Sequence, residues 1–223
     1  MNFLSHYYFD QTTADPYQVL GVVLPDLLKN ADKSANIHPE KQPHLFEAAE
    51  LHNILKGWQR HLQVDKLFHN SEFFVKHTGI LKNELKPILV ESPVRPSFLA
   101  HIAIELMLDH LLLVKDELNS SDFYAQLSAC DQSVIESFLL LNKVAYPYKF
   151  FEFYERFIHS AYLNSYTEPH NLIYALNRIC MRVWKDPMNE EVKANLEACI
   201  SAYLKTLSTE YRQIFDEIEP QLS

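Results

Sequence analysis

The sequence predicts an all-α protein that folds as one helical-bundle domain over residues 1–223, and three observations carry this prediction. Apolar residues recur at the helical spacing of three and four positions rather than in the alternation typical of strands. Capping residues and prolines stand at the starts of the apolar segments. The 223 residues include only 3 glycines, which disfavours folds with many tight turns and any glycine-rich phosphate loop.

The first half of the chain contains predicted helices separated by prolines and polar loops. Asp15 and Pro16 form a helix start, with Asp as the cap and Pro at the first helical position, and we expect Pro25 to kink or end this helix. The segments that follow are a polar loop over 29–42, a helix from about Pro43 to His69, a helix over 72–90 capped by Ser71, and a helix over 95–113.

The second half of the chain is also predicted to be helical throughout. The turn over 119–122 carries capping residues, and the helix signals after it continue to Val144 with an interruption near Asp131. Three further helical segments are predicted over 146–159, 168–184 and 189–218. No repeat, low-complexity tract or linker divides the sequence, which favours a single domain.

The composition argues against several classes of function. The formal net charge of −9 disfavours a nucleic-acid-binding protein, because that role usually needs a basic face. Cys130, Cys180 and Cys199 are widely spaced and form no CxxC pair. We therefore expect free thiols rather than a disulfide framework or a cysteine-type zinc site.

The sequence shows no clear targeting or membrane signal. Met1–His6 has neither the basic region nor the long apolar region of a secretory signal. The longest apolar stretch, over 95–113, is interrupted by ionisable residues, which argues against a membrane span. We expect a cytoplasmic protein that does not cross a membrane.

That apolar stretch carries four ionisable side chains on one predicted helix. His101, Glu105 and Asp109 recur at every fourth position, so they share one helix face, and His110 stands beside them. Ionisable groups are rarely buried unless they are paired, hydrogen-bonded or bound to a metal.

A second stripe with the same spacing lies on the helix that ends near His69. His61, Asp65 and His69 fall at positions i, i+4 and i+8. Two helices that each present a histidine–carboxylate stripe can form a metal site across a bundle. The alternative is a set of scattered polar side chains that all have hydrogen-bond partners.

The residue types in these stripes match the chemistry of divalent cations. Imidazole nitrogens and carboxylates suit manganese, iron, zinc or magnesium, and more carboxylates favour the harder ions. Such an ion binds a phosphate oxygen as a Lewis acid and lowers the pKa of a bound water, which then attacks phosphorus.

Four short motifs resemble the acyl carrier protein phosphodiesterase family. The opening segment Met1–His6 resembles the family start, Asn-Phe-Leu-Ala-His. Three later segments follow in the family order and match its Gly-Asn-x-x-x-Asp, His-Arg-x-Ile-Asp and Asp-x-x-x-Asp-His motifs: Gly21–Asp26, His61–Asp65 and Glu105–His110. These motifs cover about the first half of the chain.

The resemblance implies an all-helical fold related to the HD-type metal phosphohydrolases. It also implies release of 4′-phosphopantetheine from acyl carrier protein with a divalent cation, manganese first, with magnesium, iron or zinc as alternatives. The residues that it implies as metal ligands are His6, Asp26, His61, Asp65 and Asp109, with Asp26, Asp65, Glu105 and His110 as the catalytic candidates. The substrate-binding candidates are Arg60, His69 and His101. For His101 and His69 two alternatives stay open, a ligand peculiar to this chain and a structural histidine hydrogen-bonded in the core.

The chain departs from the family pattern at four positions. Val22 replaces an Asn, Leu62 replaces an Arg, Glu105 stands where Asp is expected, and His69 stands where a second Asp is expected. The missing Arg removes a bidentate phosphate partner, a role that the neighbouring Arg60 is a candidate to fill.

These departures leave two further hypotheses open. One is a helical binding domain that has lost catalysis, and the other is a hydrolase of a different small phosphoester. Acyl carrier proteins are acidic, so docking one on a chain of charge −9 needs a local basic face. The candidates for that face are Lys56, Arg60, Lys66, Lys76, Lys82 and Lys86, and their alternative role is as solvated helix surface.

Overall fold

The computed structural model of the protein describes residues 1–222 and confirms the all-α class, since no strand occurs within that range. Eleven α-helices follow one another along these residues: α1 (Phe3–Tyr8), α2 (Pro16–Ala31), α3 (Ala49–Asn70), α4 (Glu72–Leu85), α5 (Pro96–Val114), α6 (Ser120–Ser128), α7 (Gln132–Leu141), α8 (Pro147–Ser160), α9 (Pro169–Cys180), α10 (Glu190–Glu210) and α11 (Arg212–Ile218). Short 3-10 helices lie at Pro39–Lys41, Pro43–Leu45, Tyr162–Thr167 and Glu219–Gln221.

The helix starts predicted at Asp15 and Ser71 are confirmed by side-chain caps. The Asp15 carboxylate accepts hydrogen bonds from the backbone N–H groups of Tyr17 and Gln18, and Ser71 caps α4 through the N–H of Phe74. These contacts pair backbone donors that a helix leaves unsatisfied at its first turn. Three more helices begin at capping side chains of the same kind: Asn119, Asp131 and Asn189.

The expectation that Pro25 would end its helix was wrong, because α2 continues through it to Ala31. A proline inside a helix costs about 3 kcal/mol, because it removes one backbone hydrogen bond and crowds the preceding turn. Seven apolar side chains of α2 are almost fully buried, namely Val19, Leu20, Val22, Val23, Leu24, Leu27 and Leu28. Packing of such a face supplies most of the stability of a helix in a protein, and here it outweighs the proline.

Three other helix boundaries also differ from those predicted. The helix expected from Pro43 begins at Ala49, after a 3-10 turn, and the helix expected to reach Val90 ends at Leu85. The single helix expected over 189–218 is two helices that meet at Tyr211. No Gly or Pro marks that junction, so the sequence pattern contained no sign of it.

The chain forms two compact units that each combine distant segments. Unit 1 contains residues 1–2, 66–117 and the segment from Ser165 onward, and unit 2 contains residues 3–65 and 118–164. The prediction of one domain over the whole chain therefore stays a prediction.

Unit 2 is built around α2. This helix packs against α1, α6 and α8, and it crosses α3 at a pair of glycines. A Cβ on Gly21 would lie 2.2 Å from the carbonyl oxygen of Ile54, and a Cβ on Gly57 would lie 2.1 Å from that of Gln18. No real Cβ tolerates such distances, so the two backbones meet only because both positions are glycine.

Unit 1 is built around α5, which packs against α4, α9 and α10. Within residues 1–222, α5 alone is long and apolar enough to cross a membrane by length and composition, with a mean hydropathy of 1.7. In this structure 61% of that window is buried inside the protein. Such burial is typical of the core helix of a water-soluble protein.

The cysteines are free thiols, as the sequence predicted. Cys130 and Cys180 are buried, and Cys199 is half-buried. Burial raises the pKa of the Cys130 thiol to about 12 and those of Cys180 and Cys199 to about 11. All three thiols are therefore protonated at neutral pH, which makes them poor nucleophiles.

Candidate metal centre

Unit 2 brings together two imidazoles and one carboxylate from α1 and α3. His6 Nε2 lies 3.2 Å from Asp65 Oδ1, and His61 Nε2 lies 3.6 Å from Asp65 Oδ2. The His6 and His61 rings stack with their centroids 3.9 Å apart. The potential ligand atoms of these three residues all lie within 4.8 Å of one another.

The orientation of His61 is fixed by the backbone of α2. His61 Nδ1 lies 2.8 Å from the carbonyl oxygen of Val22. A carbonyl only accepts hydrogen bonds, so Nδ1 carries the proton, and a neutral ring then has its lone pair on Nε2, the atom beside Asp65. A metal-binding histidine commonly donates its other ring N–H in this way.

The same contact depends on the glycine crossing in unit 2. Val22 follows Gly21 directly, and His61 lies one helical turn beyond Gly57. The close approach of the two backbones therefore brings a main-chain carbonyl within reach of a side chain on the neighbouring helix. The Gly21 motif that the sequence pointed to has this structural role.

His6 is a buried imidazole whose Nδ1 has no hydrogen-bond partner within residues 1–222. Its Nε2 faces the Asp65 carboxylate at 3.2 Å. Burial and the neighbouring His61 together lower the pKa of His6 to about 3. The ring is therefore neutral at pH 7 and has a nitrogen lone pair to offer a ligand.

Asp65 supplies the negative charge of the cluster. Burial by itself would raise the pKa of this carboxyl group, but the surrounding positive and hydrogen-bonding groups, His6 first, outweigh that effect and hold the pKa well below its usual range. Asp65 is therefore an ionised carboxylate beside two imidazoles.

These three residues fit a divalent cation. A buried polar group without a partner costs free energy, and binding of an ion is one way in which such a group is satisfied. His6 is a group of this kind, because it is buried, its Nδ1 has no hydrogen-bond partner within residues 1–222 and its Nε2 faces a carboxylate that can share an ion with it. Two imidazoles and one carboxylate form a ligand set that manganese, iron and zinc all accept.

Two other predicted site residues of unit 2 lie outside this group of three. Asp26 is half-buried on α2, one turn after Val22, and its backbone carbonyl accepts a hydrogen bond from Asn30. Arg60 Nε lies 3.7 Å from Asp10 Oδ2, which makes the buried Asp10 its ion-pair partner. The guanidinium predicted to bind substrate phosphate therefore already faces a carboxylate.

Unit 1 contains a second histidine–carboxylate group. His101 Nε2 lies 3.1 Å from Glu105 Oε1, and His69 Nε2 lies 3.9 Å from the same oxygen. The α-amino group of Met1 lies 3.5 Å from it. The sequence predicted a catalytic role for Glu105 and substrate-binding roles for His69 and His101.

Asp109 and His110 are also buried in unit 1. Asp109 Oδ2 accepts a hydrogen bond of 2.7 Å from the Asn2 side-chain amide. His110 Nδ1 donates a hydrogen bond of 2.6 Å to the carbonyl oxygen of Tyr166. Burial lowers the pKa of His110, so this ring is neutral at pH 7 with its lone pair on Nε2.

Sequence reasoning missed several partners of the predicted residues. The main-chain carbonyls of Val22 and Tyr166 could not be predicted as partners from the sequence, because every residue has such a group. The third partner, Asn2, stands inside the opening motif, and its amide was a signal that could have been used. Buried Asp10, which also accepts a hydrogen bond from Gln18, carried no motif.

Comparison with known proteins extends the resemblance along the chain. A family model described as acyl carrier protein phosphodiesterase matches residues 1–218, so the match includes the second half, where the motifs gave no resemblance beyond helical character. Searches of curated proteins and of solved structures gave no match. Since the family model spans nearly the whole sequence, the chain belongs to the acyl carrier protein phosphodiesterase family.

Proposed function

We propose that this protein is a cytoplasmic, metal-dependent phosphodiester hydrolase that releases 4′-phosphopantetheine from acyl carrier protein. The observation that carries the proposal is the group of buried His6, buried His61 and half-buried Asp65 in a chain that matches the family over residues 1–218. The family supplies the substrate class, and the convergence of two imidazoles and a carboxylate supports metal dependence.

In this proposal His6 Nε2, His61 Nε2 and the Asp65 carboxylate hold the cation. Asp26 and Asp109 stay predicted as further carboxylate ligands. When bound, the cation supplies Lewis-acid polarisation of the phosphate and a water of lowered pKa. We propose manganese, because mixed nitrogen and oxygen ligands suit it better than they suit magnesium.

The protein residues contribute orientation, charge and proton handling. The Val22 carbonyl holds the His61 ring with its Nε2 lone pair toward Asp65. Asp65 is ionised at neutral pH and so offsets the positive charge of a cation. His110 holds a proton on Nδ1 against the Tyr166 carbonyl, so its Nε2 is a base of the kind that accepts a proton from water.

A second candidate keeps the metal and changes the substrate to another small phosphoester. Arg60 faces Asp10, and Leu62, at the position of the family Arg, is exposed. Both observations weaken the guanidinium contribution to phosphate binding. The roles predicted for Glu105, His69 and His101 in proton transfer and substrate binding stay predictions under either candidate.

The test is an activity assay on the full chain, stripped of metal with a chelator and reloaded with Mn²⁺. Loss of phosphopantetheine from acyl carrier protein is followed by mass spectrometry, and a chromogenic phosphodiester is assayed in parallel. We expect Asp65→Asn and His61→Ala to lower kcat/KM by at least about 100-fold, since even outer-shell partners of metal ligands contribute 10–100-fold.

His52→Ala is the matched control, because His52 is an exposed histidine on the same helix as His61. It should retain wild-type activity. Full activity of Asp65→Asn, or full activity after complete chelation, would contradict the proposal. Activity on the chromogenic ester alone would favour the second candidate, and no activity on either would favour a binding domain.

A further inference from the structure

His69, His101 and Glu105 form a ligand group in unit 1 that shares no residue with the group of His6, His61 and Asp65. His69 stands at the end of α3, and the other two lie one turn apart on α5. Their potential ligand atoms all lie within 4.8 Å of one another.

The distances in this group are compatible with one shared ion. Two nitrogen or oxygen ligands bound about 2.1 Å from the same ion are separated by at most about 4.2 Å. The separations from Glu105 Oε1 to His101 Nε2 and His69 Nε2 are 3.1 and 3.9 Å. Both values lie within that limit before any side chain moves.

Aromatic packing restricts the two imidazole rings. Phe74 presents an edge-on contact to each of them, with ring centroids 4.9 Å from His69 and 4.9 Å from His101. The two imidazoles are themselves 4.9 Å apart. Rings held by packing lose little conformational freedom on binding, which favours a preorganised ligand group.

Charge and access also suit a cation. Burial would raise the pKa of Glu105, but the Met1 amino group and His101 outweigh this effect and lower it, so the side chain is ionised. The His69 and His101 side chains remain 31% and 45% exposed, which leaves the group open to solvent. A bound cation would replace the Met1 amino group as the positive partner of Glu105.

We propose that His69, His101 and Glu105 bind a divalent transition-metal ion of their own, of the Zn²⁺ or Co²⁺ type. Two imidazoles with one carboxylate favour such ions over Mg²⁺ and Ca²⁺, which prefer oxygen ligands. This assignment is an alternative to the proton-transfer and substrate-binding roles that the sequence predicted for these residues. It does not depend on the proposed hydrolase activity, because it rests on different residues.

The test is titration of the chelator-stripped full chain with Co²⁺, followed by visible absorption and by calorimetry. We expect wild type to bind Co²⁺ at this group, and we expect His101→Ala and Glu105→Gln to lower that affinity at least about 100-fold. The size follows from the 10–100-fold loss that even outer-shell partners of metal ligands cause when they are removed. His61→Ala should retain this ion, and His52→Ala should bind Co²⁺ as wild type does. Circular dichroism checks that each variant is folded, and the nearly isosteric Glu105→Gln gives a second reading if His101→Ala is unstable.

Unchanged Co²⁺ affinity and stoichiometry in both His101→Ala and Glu105→Gln would overturn the proposal. An equal loss in His52→Ala would overturn it as well, because it would show adsorption to surface histidines. A failure of the hydrolase proposal would appear instead as wild-type activity in His61→Ala. That result would leave the proposed ion site of His69, His101 and Glu105 unaffected.

Discussion

Ring nitrogens at predicted site residues are oriented by main-chain groups. His61 Nδ1 donates to the carbonyl oxygen of Val22, and His110 Nδ1 donates to that of Tyr166. In each case the carbonyl requires a proton on Nδ1 and leaves the lone pair of a neutral ring on Nε2. Both rings are thereby prepared to bind a cation or accept a proton without changing tautomer.

His77 in unit 1 is a buried histidine outside both ligand groups. Its Nδ1 lies 2.9 Å from Tyr203 Oη, and its Nε2 lies 3.5 Å from Glu210, which also pairs with Lys76. Burial and then Lys76 lower the pKa of His77 below the ordinary histidine value of 6.5, although Glu210 opposes this shift.

The lowered pKa of His77 predicts a loss of stability in acid. Below pH 6.5 the unfolded chain binds a proton at this residue that the folded chain does not bind. The stabilising contribution is therefore complete above that pH and declines as the pH falls toward the folded pKa. Urea unfolding of His77→Gln at about pH 7.5 and about pH 5.5 should show a smaller pH-dependent loss than wild type.

His52→Gln is the control for this comparison, because His52 is exposed and lies on a helix surface. Its unfolding free energy should follow wild type at both pH values. Identical pH dependence in wild type and His77→Gln would show that another group causes the acid loss.

At the scale of helices, the glycine crossing of α2 and α3 makes a specific stability prediction. Gly57→Ala places a Cβ 2.1 Å from the carbonyl oxygen of Gln18, so the two helices must separate. Overpacking of this kind costs about 1–3 kcal/mol. Chemical denaturation should show that loss in the free energy of unfolding.

Gly79→Ala is the matched control on α4. No heavy atom lies within 4 Å of the position that its Cβ would occupy, and alanine is favoured over glycine in a helix by about 0.5–1 kcal/mol. We expect this variant to be more stable than wild type. A Gly57→Ala protein as stable as Gly79→Ala would contradict the close crossing.

Helix starts were predictable from sequence because a cap is a local contact. Asp15, Ser71, Asn119, Asp131 and Asn189 each bind backbone N–H groups two or three residues further on. The continuation of α2 through a proline was not predictable, because it depends on burial against distant segments. The junction of α10 and α11 carries no local signal for the same reason.

The candidate site was predictable in part. The four-residue spacing identified His61 with Asp65 and His101 with Glu105, and the structure places each pair in contact. The spacing did not show which stripe members bind together. Residues eight apart are separated by about 12 Å along a helix, so a stripe of that length exceeds the reach of one ion.

At the scale of the whole molecule, the prediction of one domain is open to a direct test. Neither unit is continuous in sequence, and α3 runs without interruption from unit 2 into unit 1 at residues 65 and 66. Unfolding of one unit alone would end α3 within its length and leave backbone groups there without intrahelical partners, which favours cooperative unfolding. We therefore expect a single transition.

The two tryptophans allow each unit to be followed separately, because Trp58 belongs to unit 2 and Trp184 to unit 1. Fluorescence of Trp184→Phe reports on Trp58, and fluorescence of Trp58→Phe reports on Trp184. In each variant the fluorescence midpoint should coincide with its own circular-dichroism midpoint, which serves as the internal control. A fluorescence midpoint that departs from it in either variant would indicate two separately folding domains.

The main-chain hydrogen bond to His61 bears on the departure of Val22 from the Gly-Asn-x-x-x-Asp motif that the segment Gly21–Asp26 resembles. Valine in place of that motif's Asn at first sight removes a polar group from the site. The imidazole is held by the peptide oxygen, which survives any substitution at that position. A substitution at position 22 therefore leaves the hydrogen bond from His61 Nδ1 in place. A side chain at Gly21 or Gly57, by contrast, would clash with the backbone of the neighbouring helix.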